Sequence, residues 1–91
     1  MKCLRLFISG SVQGVGFRWH VCRVAEQIGG VTGFVRNLPD GRVEILIEGV
    51  EKKPQEFLSE LENGRLSRNI SRIEKTEEPV TGQYPDFSIT F

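Results

Sequence analysis

The 91-residue sequence predicts an α+β fold, an antiparallel sheet with two helices packed on one of its faces. Three observations carry that prediction. Apolar residues alternate at a period of two in Leu4, Leu6, Ile8 and in Val43, Ile45, Ile47, the spacing that sends every second side chain to the same face of a strand. Two further segments, beginning near Phe17 and Pro54, space their apolar residues as an amphipathic helix does. The connections are short and carry glycine or proline, and the chain is long enough for one core but not for two, so residues 1–91 are read as a single domain.

Each element follows from its own pattern. A first strand runs from about Cys3 to Gly10, until "GSVQGVG" breaks it. Phe17, Val21, Val24, Ala25 and Ile28 then fall on one helical stripe, which Gly29 and Gly30 stop. Val31 to Asn37 is rich in strand formers and ends at "NLPDG"; Val43, Ile45 and Ile47 return on the far side as the second arm of a hairpin. A second helix spans roughly Pro54 to Asn63, with proline in its first turn, Phe57, Leu58 and Leu61 as its inner stripe, and Gly64 at its end. A weaker alternation predicts a strand from about Asn69 to Glu77, "EEPVTGQYPD" reads as loop, and Phe87, Ile89 and Phe91 form a last short strand. Strand, helix, strand, strand, helix, strand is the split βαβ order of a ferredoxin-like two-layer sandwich, here with an added C-terminal strand.

Twelve basic and twelve acidic side chains cancel, which argues against the broad cationic surface that nucleic acid or anionic lipid selects. No nucleic-acid or membrane partner is expected, and any anion site must be local. "MKCLRLFISG" is too short and too charged for a signal-peptide core, and no run approaches the roughly 20 apolar residues of a membrane span, so a cytoplasmic monomer is expected. Cys3 and Cys22 have neither CxxC spacing nor a cluster of histidines nearby; both read as reduced, part-buried small hydrophobes, with no metal and no cofactor.

The segment that invites chemistry is "GSVQGVGFRWH". A loop between a strand and a helix delivers backbone N–H groups to the helix N-terminus, where unpaired donors and the macrodipole favour an anion. Gly14 and Gly16 let such a loop curl, and Arg18 falls in the first helical turn, where its guanidinium can grip two oxygens of a tetrahedral anion. A positive charge there opposes the dipole, a cost that a bound anion relieves. On spacing alone the segment is equally a plain turn followed by a solvated arginine. A Walker A loop lacks its lysine here, and a dinucleotide fingerprint lacks its GxGxxG spacing.

At these residues the chain resembles the acylphosphatase family. "GSVQGVGFR" is similar to that family's signature loop, "GVTGFVRNLPDGRVEILIEG" to its second block in the same order and separation, and "DFSITF" to its C-terminal strand. The likeness covers nearly the whole chain. It implies the sandwich already reached from periodicity, and metal-free hydrolysis of the carboxyl-phosphate bond of acyl phosphates. It also implies residue roles. Gln13, Gly14, Val15, Gly16, Phe17 and Arg18 would bind the phosphoryl group through backbone amides, Arg18 would clamp its oxygens, and Asn37 would position the attacking water. Inorganic phosphate would then be both product and competitive inhibitor. His20 stands where relatives usually carry an aromatic residue, and "NGRLSRNI" lacks the proline and small residue that commonly follow the second helix.

The chemistry explains so sparse a set. The leaving carboxylate has a conjugate-acid pKa of about 4 to 5 and needs little protonation, and phosphoryl transfer has a loose transition state governed by placement and electrostatics. Asn37 is no base, but its carbonyl can orient water; read without the resemblance, it is an asparagine satisfying its own turn. His20, the only histidine, reads as a solvated or packing residue, and Trp19 and Tyr84 as core-edge aromatics. Glu44 and Glu48 read as a solvated or interstrand-paired face. Two rivals remain. RNA binding is weakened by the incomplete aromatic motif at "TGFVRN" and by zero net charge. A module of a larger maturation protein is weakened by a chain that stops at Phe91.

Overall fold

Leu4, Leu6 and Ile8 of β1 (Lys2–Gly10) stand opposite Ile47, Ile45 and Val43 of β3 (Val43–Gly49), and all six are buried on the same face of the sheet. Val31 and Val35 of β2 (Val31–Asn37) extend that face. Onto it, α1 (Phe17–Ile28) lowers Phe17, Val21 and Ala25, and α2 (Lys53–Asn63) lowers Phe57, Leu58 and Leu61. The core is this single layer of aliphatic and aromatic side chains between sheet and helices. The computed structural model describes residues 1–14 and 16–91.

Each helix is bounded by its sequence. The Gly29 amide caps Ala25 O at 3.0 Å and ends α1, and Pro54, which lacks a donor, sits in the first turn of α2. Beyond α2 comes a 3₁₀ turn, Arg65–Asn69, absent from the sequence reading and anchored by the buried Leu66. A lone leucine in a polar run carries no periodicity, so this turn had no signal of its own. The chain then enters β4 (Ile70–Glu78) and later β5 (Phe87–Ile89).

The sheet order is β4-β1-β3-β2-β5, with antiparallel pairing from β4 through β2, as expected. One correction concerns β5, which pairs with β2 in parallel, Gly33 opposite Phe87 and Val35 opposite Ile89. The reason is topological. β4 occupies one edge and β5 the other, so residues 79–86 must cross the open face, and they re-enter the sheet at the end where β4 left it. A strand starting there runs with β2.

That crossing strap explains two other features. Glu48 is 1% exposed and accepts hydrogen bonds from the Thr81 amide (2.9 Å), the Thr81 hydroxyl (2.9 Å) and the Gly82 amide (3.1 Å). Its expected place on a solvated face is therefore corrected: it pins the strap. Glu44 keeps the expected interstrand pairing, with Arg5 on β1 and with Arg36 on β2. Tyr84 of the strap packs on Phe34, ring centroids 5.8 Å apart. Cys3 lies on the open face opposite Glu48, where burial and that carboxylate raise its thiol pKa to about 11. Cys22 packs from α1 against the core on the other side, so the sheet separates the two free cysteines. Among the described residues, no helix is long and apolar enough to cross a membrane.

Candidate active site

β1 and β2 both run toward the end of the sheet at which β3 and β4 begin, and β5, parallel to β2, finishes there as well. Topology alone collects at this end the loop after β1, Asn37 at the close of β2, the 3₁₀ turn leading into β4, and the residues after β5. Hydrogen bonds then fix them to each other. Ser11 N–H donates to Asn69 O at 2.9 Å and Asn69 Nδ2 donates to Ser11 O at 3.2 Å, docking the loop on the 3₁₀ turn. Gln13 Nε2 donates to Leu38 O at 2.7 Å and to Arg42 O at 2.9 Å, docking it on the β2–β3 connection.

That connection is itself rigid. Leu38 N–H donates to Arg42 O at 2.8 Å, and Asp40 accepts from the Arg42 amide and from its guanidinium at 3.0 and 2.8 Å. The Arg42 amide first, and then its side chain, hold the Asp40 carboxyl below the usual carboxylate range.

Gly14 and Gly16 have φ of 82° and 78°, the left-handed region that side chains disfavour, and a Cβ built on either would meet no atom within 4 Å. Glycine is required here by conformation and not by crowding. Such residues allow neighbouring amides to converge on one side of a loop. Among the described residues, the amides of Gly14, Gly16 and Arg18 meet no acceptor, whereas Phe17 N–H donates to Gly14 O at 3.2 Å. Val15, which belongs to the same expected phosphate loop, lies outside the described residues. Beside the free amides a cleft of about 140 Å³ is lined by Gly14, Gly16, Phe17, Arg18, Trp19 and Ile89.

Arg18 occupies the first turn of α1, as expected, and its guanidinium carbon lies 5.1 Å from the centroid of the Phe91 ring. Among the described residues it makes no ion pair. Asn37 shares the helix-covered face with Val35, and across the ladder it stands opposite Val43. Its Oδ1 is buried and without a hydrogen-bond partner among the described residues. An unpaired buried acceptor costs about 1 to 3 kcal/mol, so it calls for an explanation other than turn satisfaction.

The other expected residues divide. Gln13 stands in the loop but spends its side chain on the hairpin, and Phe17, 2% exposed, spends its ring on the core. His20 packs edge-on to Trp19, ring centroids 5.0 Å apart. Trp19 differs from its expected place at the core edge: it is 54% exposed and lines the cleft. The signal was available, since position 19 falls off the apolar stripe of α1. Ile89 in the cleft wall and Phe91 under Arg18 were not foreseeable, because only the parallel docking of β5 brings them to this end.

An α+β sandwich whose strand–loop–helix junction lines one small cleft with Gly14, Gly16 and Arg18 has a layout suited to a phosphate group. A family model for acylphosphatases matches residues 4–89. An acylphosphatase of a Synechococcus species is 44% identical over 78 residues, 86% of this chain and 77% of that one. That of Archaeoglobus fulgidus is 37% identical over 91 residues, the full length of both chains. The crystal structure of acylphosphatase from Bacillus subtilis superposes with a TM-score of 0.88 at 38% identity, again covering both chains in full. The chain belongs to the acylphosphatase family, and so to the enzymes that hydrolyse acyl phosphates.

Proposed function

We propose that hydrolysis proceeds without a metal ion, by direct in-line attack of water on a phosphoryl group seated in the cleft beside Gly14, Gly16 and Arg18. The amides of these residues donate to the equatorial oxygens, and the Phe17 amide shares its long 3.2 Å bond with the same anion in three-centre fashion. The Arg18 guanidinium, without a carboxylate to occupy it, spans two of those oxygens. As charge redistributes over them in the loose transition state, donors already in place need no reorganisation.

Asn37 Oδ1 accepts a hydrogen bond from the attacking water and aligns its oxygen with phosphorus. The water oxygen forms the new P–O bond, the bond from phosphorus to the carboxyl oxygen breaks, and the carboxylate leaves with the bonding pair. The water proton passes to a phosphoryl oxygen, giving inorganic phosphate. The observation that carries this reading is Asn37 Oδ1, buried and without a partner among the described residues, on the residue before Leu38, whose carbonyl Gln13 of the loop binds. Inorganic phosphate competes for the same seat. We place the enzyme in the cytoplasm, a compartment that two free cysteines on opposite faces of the sheet suit.

The test is hydrolysis of a small acyl phosphate such as benzoyl phosphate, with phenyl phosphate as control and with chelator present. Turnover of the anhydride alone, unchanged by chelator, is the expected result. Comparable turnover of the monoester would overturn the assignment of reaction class, and activity lost to chelator and restored by a divalent metal would overturn the metal-free mechanism.

A further inference from the structure

The chain carries eight arginines, and they divide in a telling way. Arg5, Arg36, Arg42 and Arg72 each pair with a carboxylate. Among the described residues Arg18, Arg23, Arg65 and Arg68 have no carboxylate oxygen within 4.0 Å. In a chain whose formal charges sum to zero, unpaired arginines scattered by chance would appear on every face. Instead all four border one region, the start of α1 and the groove between α1 and the 3₁₀ turn.

That groove has two chambers. The inner one, of about 340 Å³, is lined by Phe17, His20, Arg65, Leu66, Arg68 and Asn69, with no acidic residue. The outer one, farther along α1 and of about 420 Å³, shares His20, Arg65 and Leu66 with the inner one and adds Arg23 and Glu60. Phe17 is common to the inner chamber and the phosphoryl cleft, and Trp19 to the outer chamber and that cleft. The inner chamber is also built onto the loop itself, because the reciprocal Ser11 and Asn69 bonds dock the turn bearing Arg65 and Arg68 against residue 11. Leu66, 6% exposed, anchors that turn between the two arginines.

We propose that the inner chamber is an acyl-group subsite for a second anion, a carboxylate or phosphate carried by the acyl part of the substrate, with Arg65 and Arg68 as its specificity-determining residues. The inference rests on the hydrolytic reading above. A phosphoryl group bound at Gly14, Gly16 and Arg18 directs its acyl chain out of the cleft, and the chamber whose turn docks on the same loop is lined by two arginines. Two guanidiniums with no internal partner attract an anion at the lowest desolvation cost, since no ion pair must first be broken. A neutral acyl group gains nothing from them.

The test compares kcat/KM for benzoyl phosphate with that for succinyl phosphate and for an acyl phosphate bearing a distal phosphomonoester, at low and at high salt. Wild-type protein is expected to favour one or both anionic substrates about tenfold at low salt, the ratio falling as salt rises. In the Arg65→Gln/Arg68→Gln double variant that preference collapses toward unity through a higher KM at unchanged kcat, while benzoyl phosphate moves by less than about twofold. Whichever anionic substrate shows the preference identifies the anion. No preference in wild type, or one that survives in the double variant, overturns the subsite. Turnover of no substrate at all would sink the hydrolytic reading instead. The subsite is then decided by isothermal titration calorimetry with succinate and with glycerol 2-phosphate. Saturable binding lost in the double variant supports it, and no saturable binding in wild type overturns it.

Discussion

The side-chain amide of Gln13 donates to the carbonyl of Leu38 at 2.7 Å, which ties the glycine loop to the residue that follows Asn37. The same nitrogen reaches Arg42 O at 2.9 Å, which ties the loop to both arms of the β2–β3 connection. The loop and Asn37 come from different parts of the chain, and this one residue ties them together.

Gln13→Ala is therefore expected to lower kcat about 10- to 100-fold, because a small displacement of the phosphorus from the water costs in-line alignment. The inhibition constant for phosphate, which depends on the loop amides and on Arg18, should change far less. Steady-state kinetics with phosphate as inhibitor checks this; an unaltered kcat removes Gln13 from the positioning role.

Arg18→Ala is expected to abolish both turnover and competitive inhibition by phosphate. Arg18→Lys, which keeps the charge but loses the planar fork, should retain weak phosphate inhibition with kcat reduced about 10²-fold or more. Phosphate inhibition that persists at wild-type strength in the alanine variant contradicts the clamp.

Asn37→Ala is expected to lower kcat about 10²-fold with phosphate affinity kept within about threefold. Because Oδ1 has no partner among the described residues, its removal should cost less than about 1 kcal/mol in urea unfolding, a small loss for a buried polar residue. Collapse of phosphate binding, or of stability, would assign the side chain to structure.

Glu48 couples folding to pH. Burial pushes its carboxyl pKa up, but the Thr81 amide and hydroxyl and the Gly82 amide outweigh burial and hold it below the ordinary 4.5. The unfolded chain thus takes up a proton more readily than the folded one. The stabilisation is complete above about pH 4.5 and is lost as pH falls below it through the folded-state value. Glu48→Gln faces an NH₂ against these donors, so unfolding at pH 7 should become easier by about 1 to 3 kcal/mol, with a flatter acid limb. Thermal melts from pH 7 to pH 3 check it; parallel curves for wild type and variant refute the linkage.

The period-two runs at Leu4–Ile8 and Val43–Ile47 and the helical stripe from Phe17 to Ile28 were legible because each is written in consecutive residues, with burial on one face as the only requirement. By itself the sequence also determined that Gly14, Gly16 and Arg18 gather at the start of α1, since they are neighbours along the chain. Only the tertiary structure decided that β5 lies parallel to β2, that Phe91 stacks on Arg18, that Gln13 reaches Leu38, and that Arg65 and Arg68 line a groove beside Phe17 and His20. Those facts join residues tens of positions apart. No local propensity encodes such distances; they are set when the strap of residues 79–86 crosses the sheet and the two layers close on their shared core.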